Sequence, residues 1–290
     1  MRQNTTPVAT HLRRAALRIF GTLAPRAAAS WFERLILTPS LYPQTPGATD
    51  SFQDGDHTRI PYEKGWLSLW SWGEGPTVLL LHGWGGRAVH LREFVEPLLA
   101  AGFRVVAFDA PAHGRSDGIR TNLLDCTQAV LRIAGLVGPI HGIIAHSFGS
   151  PTAAMAVQHG LHVNKMVLIG APVSIAKLTD RVARIIGLPL QVSRMTQRLI
   201  ESRLGISLEE LETDRVLAGV DVPLLVFHDD GDPDVPWEDG AAIVRAAKEA
   251  NLVTTSGLGH RRIIRDPAVV KQAVDFMSEA HVTQPAGSSS

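Results

Sequence analysis

Ile143-Ile144-Ala145-His146-Ser147-Phe148-Gly149-Ser150 is the stretch that decides the fold. An apolar run ends in Ala-His-Ser-Phe-Gly, and a helical pattern follows over 151–158. A serine on a tight strand-to-helix turn projects its hydroxyl outward, and the strained backbone there tolerates only small flanking residues. Gly149 keeps the more demanding flanking position, and Ala145 fills the other with one methyl group. Working outward, apolar strands alternate with helices on both sides. Before the serine, the spacing predicts strands over 66–72, 77–81, 103–109 and 142–145, with helices over 89–101 and 122–136. After it come strands over 165–170, 223–228 and 252–255, with helices over 237–250 and 267–280. Continuously apolar strands separated by helices indicate an α/β fold, with a mostly parallel central sheet covered by helices on both faces.

Composition agrees with a globular chain. The 290 residues are 45% hydrophobic and 19% charged, which supplies a sizeable core and too little charge for disorder. Lysine plus arginine equals aspartate plus glutamate at 28 each, so no electrostatic reason for a nucleic-acid partner exists. The one cysteine, Cys126, sits in an apolar periodic segment and reads as an inert core thiol in a cytoplasmic protein. No apolar run reaches the roughly 20 residues of a spanning helix. Arg18 interrupts the apolar run over 15–24, and Arg26 falls where a cleavage site would need small residues, so a signal peptide is not expected.

The domain reading has four parts. Residues 1–56 form an N-terminal helical arm and linker, in which two amphipathic pieces break near Pro25. Residues 57–172 and 220–282 form the core, residues 173–219 a helical cap insertion, and residues 283–290 a disordered polar tail. The insertion carries two amphipathic helices broken at Gly187-Leu188-Pro189, and Ser207 with Glu210 makes a capping box for a third. The arm has two readings: packing on the main domain, or a basic amphipathic helix at a membrane surface or over a site mouth.

Four segments carry chemistry. Ala145 to Gly149 resembles the nucleophile elbow of the α/β-hydrolases, with Ser147 as nucleophile. Leu81-His82-Gly83-Trp84-Gly85-Gly86 resembles the family's His-Gly segment at the oxyanion hole, for which the resemblance implies the backbone N–H groups of Trp84 and Phe148 as donors. His82 then shapes the loop and is not the base. His228-Asp229-Asp230-Gly231-Asp232-Pro233-Asp234-Val235-Pro236 is similar to the family's acid loop, whose register selects Asp232 ahead of Asp230 and Asp234. A metal-binding reading of these aspartates finds no matching ligand spacing. Ser256-Gly257-Leu258-Gly259-His260 resembles the loop that carries the base, and gives the order Ser147, Asp232, His260. Phe108 to Ser116 resembles the family's D-x-P-x-x-G-x-S loop and reads as architecture.

The resemblance implies acyl transfer to water without cofactor or metal. Relatives that open epoxides or remove halogens use aspartate at the elbow, and Ser147 argues against both. The leading expectation is a serine carboxylester hydrolase for small or medium acyl groups, with Trp84, His146 and Phe148 as substrate-binding residues. Lipase-like, thioesterase, lactonase and carbon–carbon hydrolase chemistry use the same triad and stay open. So do a hydrolase-fold binding protein and a lipid hydrolase that uses the arm for weak membrane-surface contact. The expected partner is a small-molecule ester; oligomeric state is open.

Overall fold

Five apolar runs become buried strands: every residue of β3 (Thr77–Leu81), β6 (Lys165–Ile169) and β7 (Leu224–Asp229) is buried, as are most of β4 (Arg104–Phe108) and β5 (Ile140–His146). The computed structural model describes residues 7–39, 52 and 55–279. With β1 (Asp56–Tyr62), β2 (Gly65–Trp72) and β8 (Ala250–Thr255), these runs form an eight-stranded sheet in the order β1-β2-β4-β3-β5-β6-β7-β8. Strands β3 to β8 run parallel; β1 and β2 are antiparallel to their neighbours. The order reverses around β3, with β4 on one side and β5 on the other. That reversal opens a crevice at the carboxyl ends of β3 and β5, the usual ligand position in such sheets.

The helices in chain order are α1 (Pro7–Leu23), α2 (Pro25–Ile36), α3 (Val95–Ala100), α4 (Leu123–Val137), α5 (Gly149–Gln158), α6 (Ile175–Ile186), α7 (Leu190–Leu204), α8 (Thr213–Ala218), α9 (Trp237–Ala246), α10 (Gly259–Arg262) and α11 (Pro267–Ser278). Alternation along each strand splits the core into two layers. Leu79, Val106 and Ile143 point to one face, where Ile133 of α4, Ala153 of α5 and Ile243 of α9 cover them. Val78, Leu80, Val105 and Ile144 point to the other, under Leu98 of α3 and Ala273 and Met277 of α11.

Three local expectations need correction. Strand β1 was not expected, because Asp56–Tyr62 is polar and mostly exposed; it is an edge strand, where Pro61 costs no interior hydrogen bond. The helix expected over 89–101 divides into a 3-10 segment, Ala88–Phe94, and α3. Pro97 lacks the N–H that a continuous helix would need, and is tolerated only in a first turn. The capping box at Ser207 forms, with Glu210 N–H donating to Ser207 Oγ at 3.2 Å, yet only a turn follows. Leu208 and Leu211 leave that turn for the core, and extended Glu212 restarts the chain as α8.

Helices α6, α7 and α8 occupy the insertion between β6 and β7, with left-handed Gly187 breaking α6 from α7. The arm packs on them. Ala28, Ala29 and Phe32 of α2 form a small core with Ala183, Leu188 and Val192. Buried Glu33 pairs with Arg203 at 2.9 Å. Most of the expected linker over 38–56 and the tail over 283–290 lie outside the described residues. Among the described residues, no helix is long and apolar enough to cross a membrane.

Candidate active site

Ser147 follows directly on β5 and takes φ of +52°. A non-glycine residue in that region costs about 1–3 kcal/mol and persists only where its surroundings hold it. Here the Ser147 N–H donates to Ile169 O at 2.8 Å, and the Ser150 N–H donates to Ser147 O at 2.9 Å. Two glycines give the turn its room. A Cβ on Gly149 would stand 2.5 Å from Leu81 O, and one on Gly83 would stand 2.9 Å from the Ser147 Cβ. Ala145 is fully buried and its methyl group fits in the core.

Because β7 and β8 are neighbours, their end loops meet in front of Ser147. The Ser147 Oγ–H donates to His260 Nε2 at 2.8 Å, and the His260 Nδ1–H donates to Asp232 Oδ2 at 2.7 Å. These tautomers follow from the hydrogen-bond network. The other Asp232 oxygen accepts from the N–H groups of Asp234 at 2.7 Å and Val235 at 2.9 Å. Burial alone would raise the Asp232 carboxyl. The bond from His260 and the backbone N–H of Val235 outweigh it and hold the acid below its ordinary range. Asp230 and Asp234 face solvent. Gly170, at φ +58° after β6, leaves space for the pair: a Cβ there would lie 3.1 Å from His260 Nδ1.

The loop after β3 lies across from Ser147. Among the described residues, the N–H groups of Trp84 and Phe148 donate to no protein acceptor. The two rings meet edge to face at 4.9 Å. Two buried histidines and one acid fix this loop. His82 Nδ1–H donates to Gly83 O at 2.8 Å, while its Nε2 accepts from the Ala110 N–H at 3.0 Å. His113 Nε2 accepts from the Gly85 N–H at 3.0 Å. Asp109 accepts from the N–H groups of Ala88 at 2.8 Å and Arg115 at 2.7 Å. Burial pushes His82 down to about 4 and His113 down to about 3, and raises Asp109 despite its bonds.

His146 was expected beside the substrate. Its ring is instead buried against that of His260, with centroids 4.8 Å apart, and its Nε2–H donates to the His260 carbonyl at 2.8 Å. Burial lowers it to about 3, so it stays neutral. Sequence reasoning passed over Asp229. This 1%-exposed carboxylate accepts from the Gly231 N–H at 3.1 Å, the Thr255 hydroxyl at 2.9 Å and the Leu258 N–H at 2.9 Å. Burial would raise it, yet these donors hold it below the ordinary carboxylate range. Asp229 therefore ties the acid loop to the histidine loop. Its signal was an aspartate closing an otherwise apolar strand, obscured by three more aspartates beside it.

A family model described as alpha/beta hydrolase fold matches residues 76–213, and one described as TAP-like protein matches residues 208–289. The chain belongs to the α/β-hydrolase family. A 2-hydroxy-6-oxononadienedioate/2-hydroxy-6-oxononatrienedioate hydrolase 1 from Pseudomonas putida is 30% identical over 201 residues, covering 65% of this chain and 67% of the relative. The corresponding hydrolase 2 from the same organism is 39% identical over 108 residues, covering 34% of this chain and 37% of the relative. In that second match the α/β-hydrolase chain spans well under half of the relative's length. A crystal structure of a putative lipase from Acinetobacter baumannii AYE superposes with a TM-score of 0.62 at 17% identity, over 77% of this chain and 91% of that one, a likeness of fold alone. The order of the segments in this α/β-hydrolase follows the sheet: Ser147 comes after β5, Asp232 after β7 and His260 after β8.

Proposed function

We propose that this α/β-hydrolase cleaves carboxylic esters of small or medium acyl groups through an acyl-enzyme on Ser147. The observation that carries the reading is the continuous hydrogen-bonded chain from Ser147 Oγ through His260 to Asp232. In the first half-reaction Ser147 Oγ attacks the ester carbonyl and its proton passes to His260 Nε2. The carbonyl oxygen takes the negative charge and accepts from the N–H groups of Trp84 and Phe148; one such donor is worth about 3 kcal/mol of barrier. Collapse breaks the C–O bond, and His260 returns the proton to the departing alkoxide. Water then attacks the acyl carbon, gives a proton to Nε2, and releases the acid with Ser147 restored. Asp232 keeps the imidazole in the productive tautomer and stabilises its cation.

A small, partly open cavity of about 10 Å³ beside Phe148 is lined by Leu81, Phe108, Ala110 and Cys126, together with His82 and His113, whose ring pKa values burial lowers. That volume holds about one water, so the cavity supplies an uncharged wall beside Phe148 and not an acyl pocket. Helix α6 reaches the acid loop, where Arg181 donates to Pro233 O, which supports reading residues 173–219 as a cap over the site. A second reading is carbon–carbon bond hydrolysis on the same triad, favoured by the similarity to the two Pseudomonas putida hydrolases of 2-hydroxy-6-oxononadienedioate. Wild-type turnover on p-nitrophenyl esters from acetate to palmitate, beside a 2-hydroxy-6-oxo dienedioate, separates the two. We expect ester turnover with an optimum at one chain length. Turnover of the dienedioate with inert esters would assign the second reading.

A further inference from the structure

Helix α1 packs Leu17 and Phe20 on the protein and leaves a second apolar stripe exposed. Gly21 lies against Pro189, where a Cβ would come within 2.5 Å of the ring, and Arg14 lies against Gly187 and donates to Arg184 O at 3.3 Å. These contacts mark the face of α1 that meets the inserted helices. Leu12, Ile19 and Leu23 share the opposite stripe, seven and then four residues apart. They are 66%, 59% and 79% exposed. Exposed Arg13 and Arg18 lie on the flanks between the two faces. Trp31 of α2, 39% exposed, stands edge to face with Phe20 of α1 at 6.4 Å.

We propose that α1 docks on an anionic lipid surface, with Leu12, Ile19 and Leu23 entering the acyl boundary and Arg13 and Arg18 meeting lipid phosphates. Charge selects this occupant. Helix α1 contains no acidic residue, and the single acid of α2, Glu33, is buried and paired with Arg203. A second copy seated on the same stripe by two-fold symmetry would bring like arginines together, which costs energy. An anionic bilayer accepts both the apolar stripe and its cationic flanks. Docking would hold α6 and α7 behind α1, on its side away from the membrane, because that face of α1 meets Gly187 and Pro189. The proposal does not rest on the hydrolase reading, since binding is read without turnover.

The test is sedimentation of the full chain with vesicles of phosphatidylcholine alone or of phosphatidylcholine mixed equally with phosphatidylglycerol. Wild type should sediment with the mixed vesicles, far less with phosphatidylcholine, and less in high salt. Each arginine at such a surface contributes about fivefold in affinity, so the Arg13→Gln and Arg18→Gln pair should lose about thirtyfold. The Leu12→Ser and Ile19→Ser pair should also release the protein; both side chains are exposed, so the melting temperature should hold. Wild type that stays in the supernatant, or variants that sediment like wild type, would overturn the proposal. So would a wild-type dimer that the leucine–isoleucine pair converts to monomer without any vesicle binding, which would give the stripe to a second copy.

Discussion

Ser147 sits in left-handed backbone because the residues around it leave no alternative. Its N–H is held by Ile169, and Gly83 and Gly149 clear the space on either side. Gly149→Ala would drive a methyl group into the Leu81 carbonyl, and backbone cannot swing aside as a side chain can. We predict that this variant loses on the order of 1–3 kcal/mol in chemical denaturation and most of its activity. Ser147→Ala at the same turn should fold as wild type. The acid makes a second prediction. Asp232→Asn should cost on the order of ten thousandfold in turnover, because the amide favours the wrong imidazole tautomer. Asp230→Asn and Asp234→Asn, whose side chains face solvent, should stay near wild type. The opposite ranking would move the acid to another position on the loop. Counting back from Val235-Pro236 selects Asp232, which lies 2.7 Å from His260 Nδ1, whereas the inward turn of His146 leaves no mark in the sequence. A histidine beside a serine reads as a contact with substrate until the His260 carbonyl is seen opposite its Nε2.

Between residue and fold, the end loops of β7 and β8 behave as one piece because Asp229 joins them. Asp229→Ala would leave the N–H groups of Gly231 and Leu258 and the Thr255 hydroxyl without their acceptor. We predict a loss on the order of 1 kcal/mol, because Gly231 is exposed and Thr255 and Leu258 are half-buried, so water takes over part of the acceptor role. Asp229→Asn keeps one acceptor oxygen and should lose less. Denaturation midpoints of the two variants check this, and an alanine no worse than asparagine would contradict it. Elements with a strong period were legible from sequence: the buried strands, α4, α9, α11, and the break between α1 and α2 at Pro25. Elements that depend on neighbours were not. Strand β1 has no apolar run and exists because β2 offers it an edge. The capping box at Ser207 is a sound local signal, overridden when Leu208 and Leu211 turn into the core.

Across the molecule, the buried histidines give stability a pH dependence. His82, His113 and His146 are held down to about 4, 3 and 3 by burial, against an unfolded value of about 6.5. Below about pH 6.5 the unfolded chain therefore binds protons that the native chain does not, so stability is full above that pH and falls as pH drops. Three such groups contribute roughly 4 kcal/mol of loss between about pH 7.5 and about pH 5.5. Asp109 and Asp239, raised by burial, bind protons in the native state and work in the opposite sense. We predict a net fall in denaturant stability over this range; a flat or rising profile would contradict it. At this scale the sheet and its covering helices were legible from sequence, because most strands are apolar runs; β8, which precedes His260, is instead half-polar and without a buried residue. The seating of the arm on α6 and α7 was not, since Phe32 and Val192 show only that each helix has an apolar face. The most direct measurement of the central claim is p-nitrophenyl ester turnover by Ser147→Ala beside wild type, both checked for equal melting temperature. We predict a loss on the order of ten thousandfold or more. A folded Ser147→Ala that keeps most of the wild-type rate would contradict Ser147 as the nucleophile.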